Sequence, residues 1–191
     1  MSLDLDFTDE ELERYSRHIL LPEVGATGQA KLRAASVLIV GAGGLGAPMI
    51  VYLAAAGIGR IGIIDHDVVD RSNLQRQIAH TTDRIGVNKA ESAAITARAI
   101  NPDIAVEVHA ERLSDANIDS LLSGYDIVAD GTDNFATRYM VNDAAVRLGK
   151  TLVTAALLRF DGQITTVKPG GPCYRCLFPE PPPEGSVPSC S

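Results

Sequence analysis

The apolar positions of this chain form short continuous runs, which alternate with longer segments where apolar residues recur at helical spacing. Short continuous runs are typical of strands that are buried on both faces of a parallel sheet. The strands predicted in this way cover residues 37–40, 61–65, 127–130 and 151–155. Residues 104–108 alternate between apolar and polar, which predicts a less buried strand. Residues 162–167 are expected to run antiparallel to the strand before them.

Helices are predicted before the first strand and between the others. Thr8 and Glu11 have the spacing of a capping box, so a first helix is expected over residues 9–20, ended by Pro22. A shorter helix is expected around residues 28–33. Further helices are predicted over residues 47–56, 89–100, 116–122 and 134–148. Residues 68–88 are polar and without periodicity, and a loop of that length inside a domain is often functional.

The order of these elements predicts an α/β fold. We expect a Rossmann-like, mostly parallel sheet with helices on both faces, an N-terminal helical extension and truncated C-terminal antiparallel strands. The expected organisation is one domain over residues 1–191, with N-terminal helices over 1–34, a Rossmann-like core over 35–168 and a Pro- and Gly-rich segment over 169–191. That segment is predicted to be a loop, and we expect the chain to be incomplete at its C-terminus.

Composition and charge narrow the class of protein. Hydrophobic residues make up 46% and charged residues 21%, which is an ordinary globular balance. No apolar run reaches the roughly 18 residues of a membrane helix, and the N-terminus is acidic rather than signal-like, so we expect a cytoplasmic protein without a membrane partner. The net charge of −7 argues against a nucleic-acid partner.

A glycine-rich turn directly follows the first predicted strand. Gly41, Gly43 and Gly46 have the spacing of the dinucleotide-binding fingerprint, in which glycines let the backbone approach a phosphate and a helix N-terminus attracts the anion. Asp65 ends the second strand, where such a fold places an acid on the ribose hydroxyls; a surface aspartate at a strand end is the alternative. The turn predicts a bound nucleotide without specifying which one.

Charged side chains near later strand ends suggest what is done to that nucleotide. Arg76 and Lys89 are cations near the strand ends. A triphosphate under nucleophilic attack needs several such charges, whereas a diphosphate cofactor needs few. Arg76 taken alone is more typical of a solvated surface charge. Asp130 and Asp133 have the chemistry to hold Mg²⁺, which prefers carboxylate and phosphate oxygens. Asp133 or Asn134 is also a good N-cap for the next helix.

The cysteines lie in the C-terminal segment. Cys173 and Cys176 have zinc-ligand spacing, but a structural zinc takes four ligands and the chain has no second pair, so they form half a site. A redox dithiol is the alternative. Cys190 is either a nucleophile or a residue without a chemical role, and the second is favoured. The histidines show no metal spacing. His66 flanks Asp65 and either lines the pocket or simply faces solvent, and the second is favoured.

A series of short motifs follows one another along nearly the whole chain. They are Arg14-Tyr-Ser-Arg-His-Ile-Leu-Leu-Pro22, Gly41-Ala-Gly-Gly-Leu-Gly46, Asp65-His-Asp67, Ser72-Asn-Leu-Gln-Arg-Gln77, Gly86-Val-Asn-Lys89, Asp130-Gly-Thr-Asp-Asn134, Gly162-Gln-Ile-Thr165 and Pro172-Cys-Tyr-Arg-Cys176. As an ordered set they resemble the MoeB/ThiF family, the bacterial relatives of ubiquitin-activating enzymes. No single motif is sufficient, but the ordered set is specific.

The resemblance implies an ATP-dependent adenylyltransferase. Its substrate would be a small ubiquitin-like sulfur carrier protein of MoaD or ThiS type that ends in Gly-Gly, in molybdopterin or thiamine biosynthesis. The carboxylate of the carrier would attack the α-phosphate of ATP, an acyl-adenylate would form and pyrophosphate would leave. The implied nucleotide-binding residues are Gly41, Gly43, Gly44, Gly46, Asp65, Ser72, Asn73, Leu74, Gln75, Arg76, Lys89, Asp133 and Asn134.

The resemblance also implies catalytic and metal-binding roles. The catalytic residues would be Arg76, Lys89, Asp133 and Arg17. Asp133 would hold Mg²⁺, and Arg17 would reach across a homodimer interface into the phosphate site of the partner. Cys173 and Cys176 would be half of a four-cysteine zinc site, because the second pair of the family lies beyond the end of this chain. Cys190 falls in a loop where some relatives form a thioester or persulfide with the carrier, whereas others adenylate without it.

Other functions fit part of these observations. An NAD-dependent oxidoreductase fits the glycine turn and Asp65, but it leaves Arg76, Lys89 and the cysteine pair without a purpose. A non-catalytic scaffold that binds the carrier is a second alternative. An ATP-dependent dehydratase acting on a modified tRNA base is a third, which the acidic charge and the cysteine pair disfavour.

Overall fold

The structure is a computed structural model that describes residues 3–183. In this part of the chain, six strands form one sheet in the order β3-β2-β1-β4-β5-β6. The strands are β1 (Ser36–Val40), β2 (Arg60–Ile64), β3 (Ala105–His109), β4 (Ile127–Asp130), β5 (Thr151–Leu158) and β6 (Asp161–Val167). The first five are parallel and β6 pairs antiparallel with β5, as predicted.

Helices connect these strands and cover both faces of the sheet. They are α1 (Asp9–Ile19), α2 (Gly25–Ala34), α3 (Gly46–Ala56), α4 (Lys89–Ile100), α5 (Ile118–Ser123), α6 (Phe135–Arg147) and α7 (Tyr174–Leu177). Strand β1 shows why its sequence is continuously apolar. Val37 and Ile39 pack in the core under α3 and α4, whereas Leu38 and Val40 pack in a second core with residues of α5 and α6. The predicted α/β class is therefore confirmed.

The N-terminal extension packs at the end of the domain where α3 and α4 finish. The predicted capping box is present, with the Thr8 hydroxyl accepting from the Glu11 amide. The Tyr15 ring lies against Gly57, where an added Cβ would come within 2.5 Å of it, and Gly57 has a φ of +79°. The Tyr15 hydroxyl accepts a hydrogen bond from Asn101 at 2.8 Å. α1 is therefore fixed at the far end of α3 from the glycine-rich turn.

Several predicted boundaries differ from the structure. The second helix begins at Gly25 rather than residue 28, because the chain turns tightly after Pro22 and the Gly25 amide donates to the Leu21 carbonyl. β5 continues to Leu158, since its antiparallel pairing with β6 extends beyond the parallel part of the sheet. Within the described residues, no helix combines the length and apolar character needed to cross a membrane.

The C-terminal segment was wrongly predicted to be a loop throughout. Residues 174–177 form the one-turn helix α7, and the Tyr174 side chain is buried against the rings of Tyr139 and Phe178. The Tyr174 amide donates to Asn142 of α6 at 2.9 Å, which anchors the segment to the domain. The prolines and glycines on either side favour a loop prediction. The short helix is stabilised by aromatic packing, which produces no helical periodicity in the sequence.

Candidate nucleotide-binding site

A cleft of about 940 Å³ opens at the carboxyl ends of the parallel strands. The strand order reverses between β1 and β4, and this is where open α/β sheets bind ligands. Its walls come from the glycine-rich turn after β1, residues 65–67 after β2, residues 111–115 after β3, residues 131–138 around the start of α6, and the hairpin of β5 and β6. The volume is within the range of small-molecule sites.

The glycines of the turn have different physical roles. Gly41 has a φ of +89°, a conformation that side-chain-bearing residues rarely adopt. Gly46 does not line the cleft. A Cβ at this position would stand 1.8 Å from the Gly41 carbonyl oxygen, so glycine is needed here for the turn to close on itself. Gly44 is exposed in the cleft, and only the Arg76 side chain lies within 4 Å of the position its Cβ would take. Gly43 and Gly44 therefore leave their backbone open to a ligand in the cleft.

Asp65 lies just beyond β2, at the edge of the cleft. Its Oδ2 accepts from the Ala42 amide at 2.8 Å, and its Oδ1 accepts from the Asp67 amide at 2.9 Å. Each carboxylate oxygen has a further lone pair, so the group can also accept from ribose hydroxyls. Asp65 thus links the glycine-rich turn to the strand end where the ribose is expected.

The two predicted phosphate-binding cations both line the cleft. Arg76 is exposed beside Gly44, and its Nη1 donates to the Ser72 carbonyl at 3.2 Å. Lys89 is buried at the start of α4, with Nζ 3.2 Å from Oδ2 of Asp67. Asp67 had no role in the sequence-based prediction. The ion pair with Asp67 orients the Lys89 ammonium at the wall of the cleft.

Besides Gly46, four predicted nucleotide contacts are not among the cleft-lining residues. Ser72, Asn73, Leu74 and Gln75 belong to the turn that presents Arg76. Asp70 caps this turn by accepting from the Ser72 amide at 2.7 Å. Their direct contact with a nucleotide therefore remains a prediction.

The residues after β4 divide between structure and site. Asp130 is buried, and it accepts from the Thr132 amide and hydroxyl and from the Thr154 hydroxyl, so the suggestion that it holds Mg²⁺ is wrong. Asn134 caps α6 by accepting from the Thr137 amide at 2.9 Å, as predicted for this position. Asp133 is exposed in the cleft and makes no side-chain bond that competes with a metal among the described residues. A free carboxylate in the same cleft as the glycine-rich turn fits Mg²⁺.

The structure brings further polar residues to the cleft that sequence reasoning missed. Arg112 comes from the loop after β3, and its Nη2 lies 2.8 Å from Nε2 of His66. His66, for which the sequence left both positions open, is exposed and also lines the cleft. The buried Arg138 of α6 also lines the cleft. The position of Arg112 just after a predicted strand was the available signal, since carboxyl ends of parallel strands meet at one edge.

The cysteine pair lies outside the cleft, at the start of α7. The two Sγ atoms are 3.8 Å apart, which is the separation of two ligands on one tetrahedral zinc with Zn–S distances of about 2.3 Å. Burial raises the pKa of Cys173, but the amides of Cys176 and Arg175 outweigh this and hold it below its ordinary value. The pair therefore fits half of a zinc site. Cys190 lies outside the described residues.

The sequence profile of the ThiF family matches residues 15–191, which include every element of the sheet. The chain belongs to the ThiF family. A SAMP-activating enzyme E1 from Haloferax volcanii is 52% identical over 191 residues, covering 100% of this chain and 70% of the relative. A sulfur carrier protein adenylyltransferase from Thermus thermophilus is 52% identical over 191 residues, covering 97% of this chain and 70% of the relative.

A solved structure shares the fold of this ThiF-family chain. MccB from E. coli, crystallised with AMPCPP and MccA, superimposes with a TM-score of 0.80 at 30% identity, covering 90% of this chain and 51% of MccB. The chain thus spans 70% of the two curated relatives and about half of this structural neighbour.

Proposed function

We propose that this chain carries the ATP site of an adenylyltransferase that activates the C-terminal carboxylate of a ubiquitin-like sulfur carrier protein. The observation that carries the proposal is the convergence of Gly44, Asp65, Arg76, Lys89 and Asp133 on one cleft. The names of the two curated relatives support a carrier protein as the substrate. The structure of MccB with AMPCPP and MccA supports a fold that binds a nucleotide together with a second molecule.

The geometry supports a direct attack of the carboxylate on the α-phosphate. A carboxylate and a triphosphate repel each other, so the reaction depends on local positive charge and on positioning. Arg76 and Lys89 would bind the phosphates from the side of α4, and Asp65 would hold the ribose. The carboxylate oxygen forms a bond to the α-phosphorus, and the bond to the β,γ-diphosphate breaks, which yields the acyl-adenylate and pyrophosphate. Mg²⁺, held by Asp133, would neutralise charge on the phosphates.

The hairpin of β5 and β6 is the proposed entrance for the carrier tail. Leu157 and Gly162 line the cleft on the side opposite the glycine-rich turn and are exposed. A Gly-Gly end without side chains would pass between this hairpin and the turn. We propose for this reason that the carrier ends in Gly-Gly.

We also propose that the enzyme is a homodimer that supplies Arg17 in trans. Arg17 is exposed on the last turn of α1 and does not line the cleft of its own chain. α1 is fixed at the far end of α3 by Tyr15, and α3 is on the order of 16 Å long at about 1.5 Å per residue. Arg17 can therefore reach a phosphate site only in a second copy.

ATP–pyrophosphate exchange tests the proposed activity. Exchange should require a MoaD- or ThiS-type carrier and should stop when the carrier lacks its last glycine. Arg76→Ala and Asp133→Ala should lose exchange at least about a hundredfold while their melting temperatures stay unchanged, because both side chains are exposed. Arg71→Ala and Asp119→Asn are matched controls outside the cleft. Absence of exchange with every such carrier, together with substrate-dependent reduction of NAD⁺, would overturn the proposal.

A further inference from the structure

The peptide groups on both sides of Ala42 are held by side chains from two different segments, Asp65 after β2 and His80 in the loop before α4. The Ala42 amide donates to Oδ2 of Asp65 at 2.8 Å. The Ala42 carbonyl lies 2.9 Å from Nε2 of His80. Ala42 is completely buried and His80 is 5% exposed, so solvent does not compete for the bond to His80, whereas Asp65 is partly exposed at the cleft. His80 belongs to the polar stretch of residues 68–88, and neither the sequence motifs nor the proposed mechanism assigns it a role.

The contacts of His80 identify its tautomer. A carbonyl oxygen can only accept, so Nε2 carries the hydrogen that is donated to Ala42. Nδ1 lies 3.0 Å from the hydroxyl of Ser92, which is fully buried on α4 and donates to it in the neutral ring. Burial lowers the pKa of His80, the positive charges of Lys89 and Arg84 lower it further, and the Ala42 carbonyl and Asp65 oppose this. The ring is therefore a neutral donor that adds no charge to the cleft.

Holding the Ala42 carbonyl also sets the direction of the next amide. In a trans peptide the C=O of one residue and the N–H of the following residue point in opposite directions. Because the Ala42 carbonyl faces His80, the Gly43 N–H points away from His80, and Gly43 lines the cleft. The bond to Asp65 sets the preceding peptide in the same way. Two consecutive peptide planes of the glycine-rich turn are thus oriented by side chains outside the turn.

We infer that His80 is a positioning residue for ATP binding, which acts through the Ala42 carbonyl to hold the glycine-rich turn in its phosphate-binding conformation. The inference rests on the proposed function, because it concerns the same nucleotide. Glycines make this turn conformationally free, and a preorganised turn binds phosphate without first losing that freedom. His80 supplies the external restraint that the glycines lack, and Ser92 orients the ring.

A matched pair of amide variants tests this role. The amide of glutamine extends about as far as Nε2 of histidine, whereas that of asparagine reaches only the position of Nδ1. His80→Gln should therefore keep the bond to Ala42 and bind ATP within about threefold of the wild type. His80→Asn and His80→Leu should weaken ATP binding about tenfold, the expected effect of losing one buried hydrogen bond. Calorimetric titration with MgATP measures the affinity without any carrier protein.

The kinetic readout separates positioning from a general loss of structure. A partly unfolded variant loses kcat in proportion to its folded fraction and keeps its KM for ATP. A misplaced turn raises KM for ATP at an unchanged folded fraction. Should His80→Leu not fold, Ser92→Ala is the second test, and it should weaken ATP binding severalfold by releasing the ring. Wild-type affinity in folded His80→Asn or Ser92→Ala would overturn the inference. Absent exchange in the wild type would overturn only the proposed activity, since MgATP titration still reports on the turn.

Discussion

The guanidinium of Arg138 lies against the carboxylate of Asp130 inside the domain, with Nε 3.4 Å from Oδ2. The two side chains are 4% and 0% exposed. Asp130 also holds the amide and hydroxyl of Thr132, and Nη2 of Arg138 donates to the Thr132 carbonyl at 2.8 Å. The pair therefore encloses Thr132 from both sides. The next residue is Asp133, so this buried ion pair sets the position of the proposed magnesium ligand.

Removing one member of this pair should be costly for stability. Arg138→Met leaves the Asp130 charge buried without its partner, which typically destabilises a protein by about 3–5 kcal/mol. Urea unfolding followed by circular dichroism measures the loss. Arg147→Met is the control, because Arg147 pairs with Asp119 on the surface and its removal should change little. Equal stability of the two variants would show that the buried pair does not support the domain.

Two glycines of the glycine-rich turn should respond differently to alanine. Gly46→Ala places a Cβ 1.8 Å from the Gly41 carbonyl oxygen, so we expect a large loss of stability. Gly44→Ala meets nothing closer than 3.8 Å in the protein, so the fold should survive. The same methyl group stands where a phosphate would approach, and ATP affinity should fall by at least about tenfold. Thermal melting and MgATP titration of both variants check this, and normal ATP binding by Gly44→Ala would contradict it.

The proposed role of Arg17 predicts complementation between two inactive variants. Arg17→Ala should lack exchange because each cleft loses the arginine of its partner, and Arg76→Ala should lack it because each cleft loses its own. A mixed dimer contains one complete site. Mixing equal amounts after subunit exchange should restore about a quarter of wild-type activity, since about half of the dimers are mixed. Subunit exchange without any recovered activity would exclude a role in trans.

Ser36 and Asp126 should make part of the stability depend on pH. The Ser36 hydroxyl donates to Asp126 at 2.6 Å, and this bond lowers the pKa of Asp126. Burial acts in the opposite direction, and the Ser36 amide lowers the pKa further. A folded-state pKa below the unfolded value contributes stability above about pH 4, which is lost as the pH falls through the folded value. Ser36→Ala should therefore lower the urea midpoint at pH 7 and much less near pH 3. The control Ser120→Ala removes a hydroxyl that donates to a backbone carbonyl, so its effect should not vary with pH.

The local elements follow from the sequence because their causes are local. The continuous apolar run of β1 requires burial on both faces, which a parallel sheet between two helical layers provides. The Thr8 and Glu11 pair starts α1, and the glycine spacing after β1 predicts a nucleotide cleft. The ordered motifs led to the ThiF family, and the profile match confirms it.

Neighbours distant in sequence decided the remaining features. Asp130 and Asp133 are equivalent carboxylates in the sequence, but Thr154 and Arg138 surround only the first, so the second alone is free to meet a ligand. Likewise, the residue spacing of Gly41, Gly43 and Gly46 contains no sign of His80, which reaches the turn from a separate loop. Periodicity reports which face of an element is buried, whereas hydrogen-bond partners depend on how the packed elements meet.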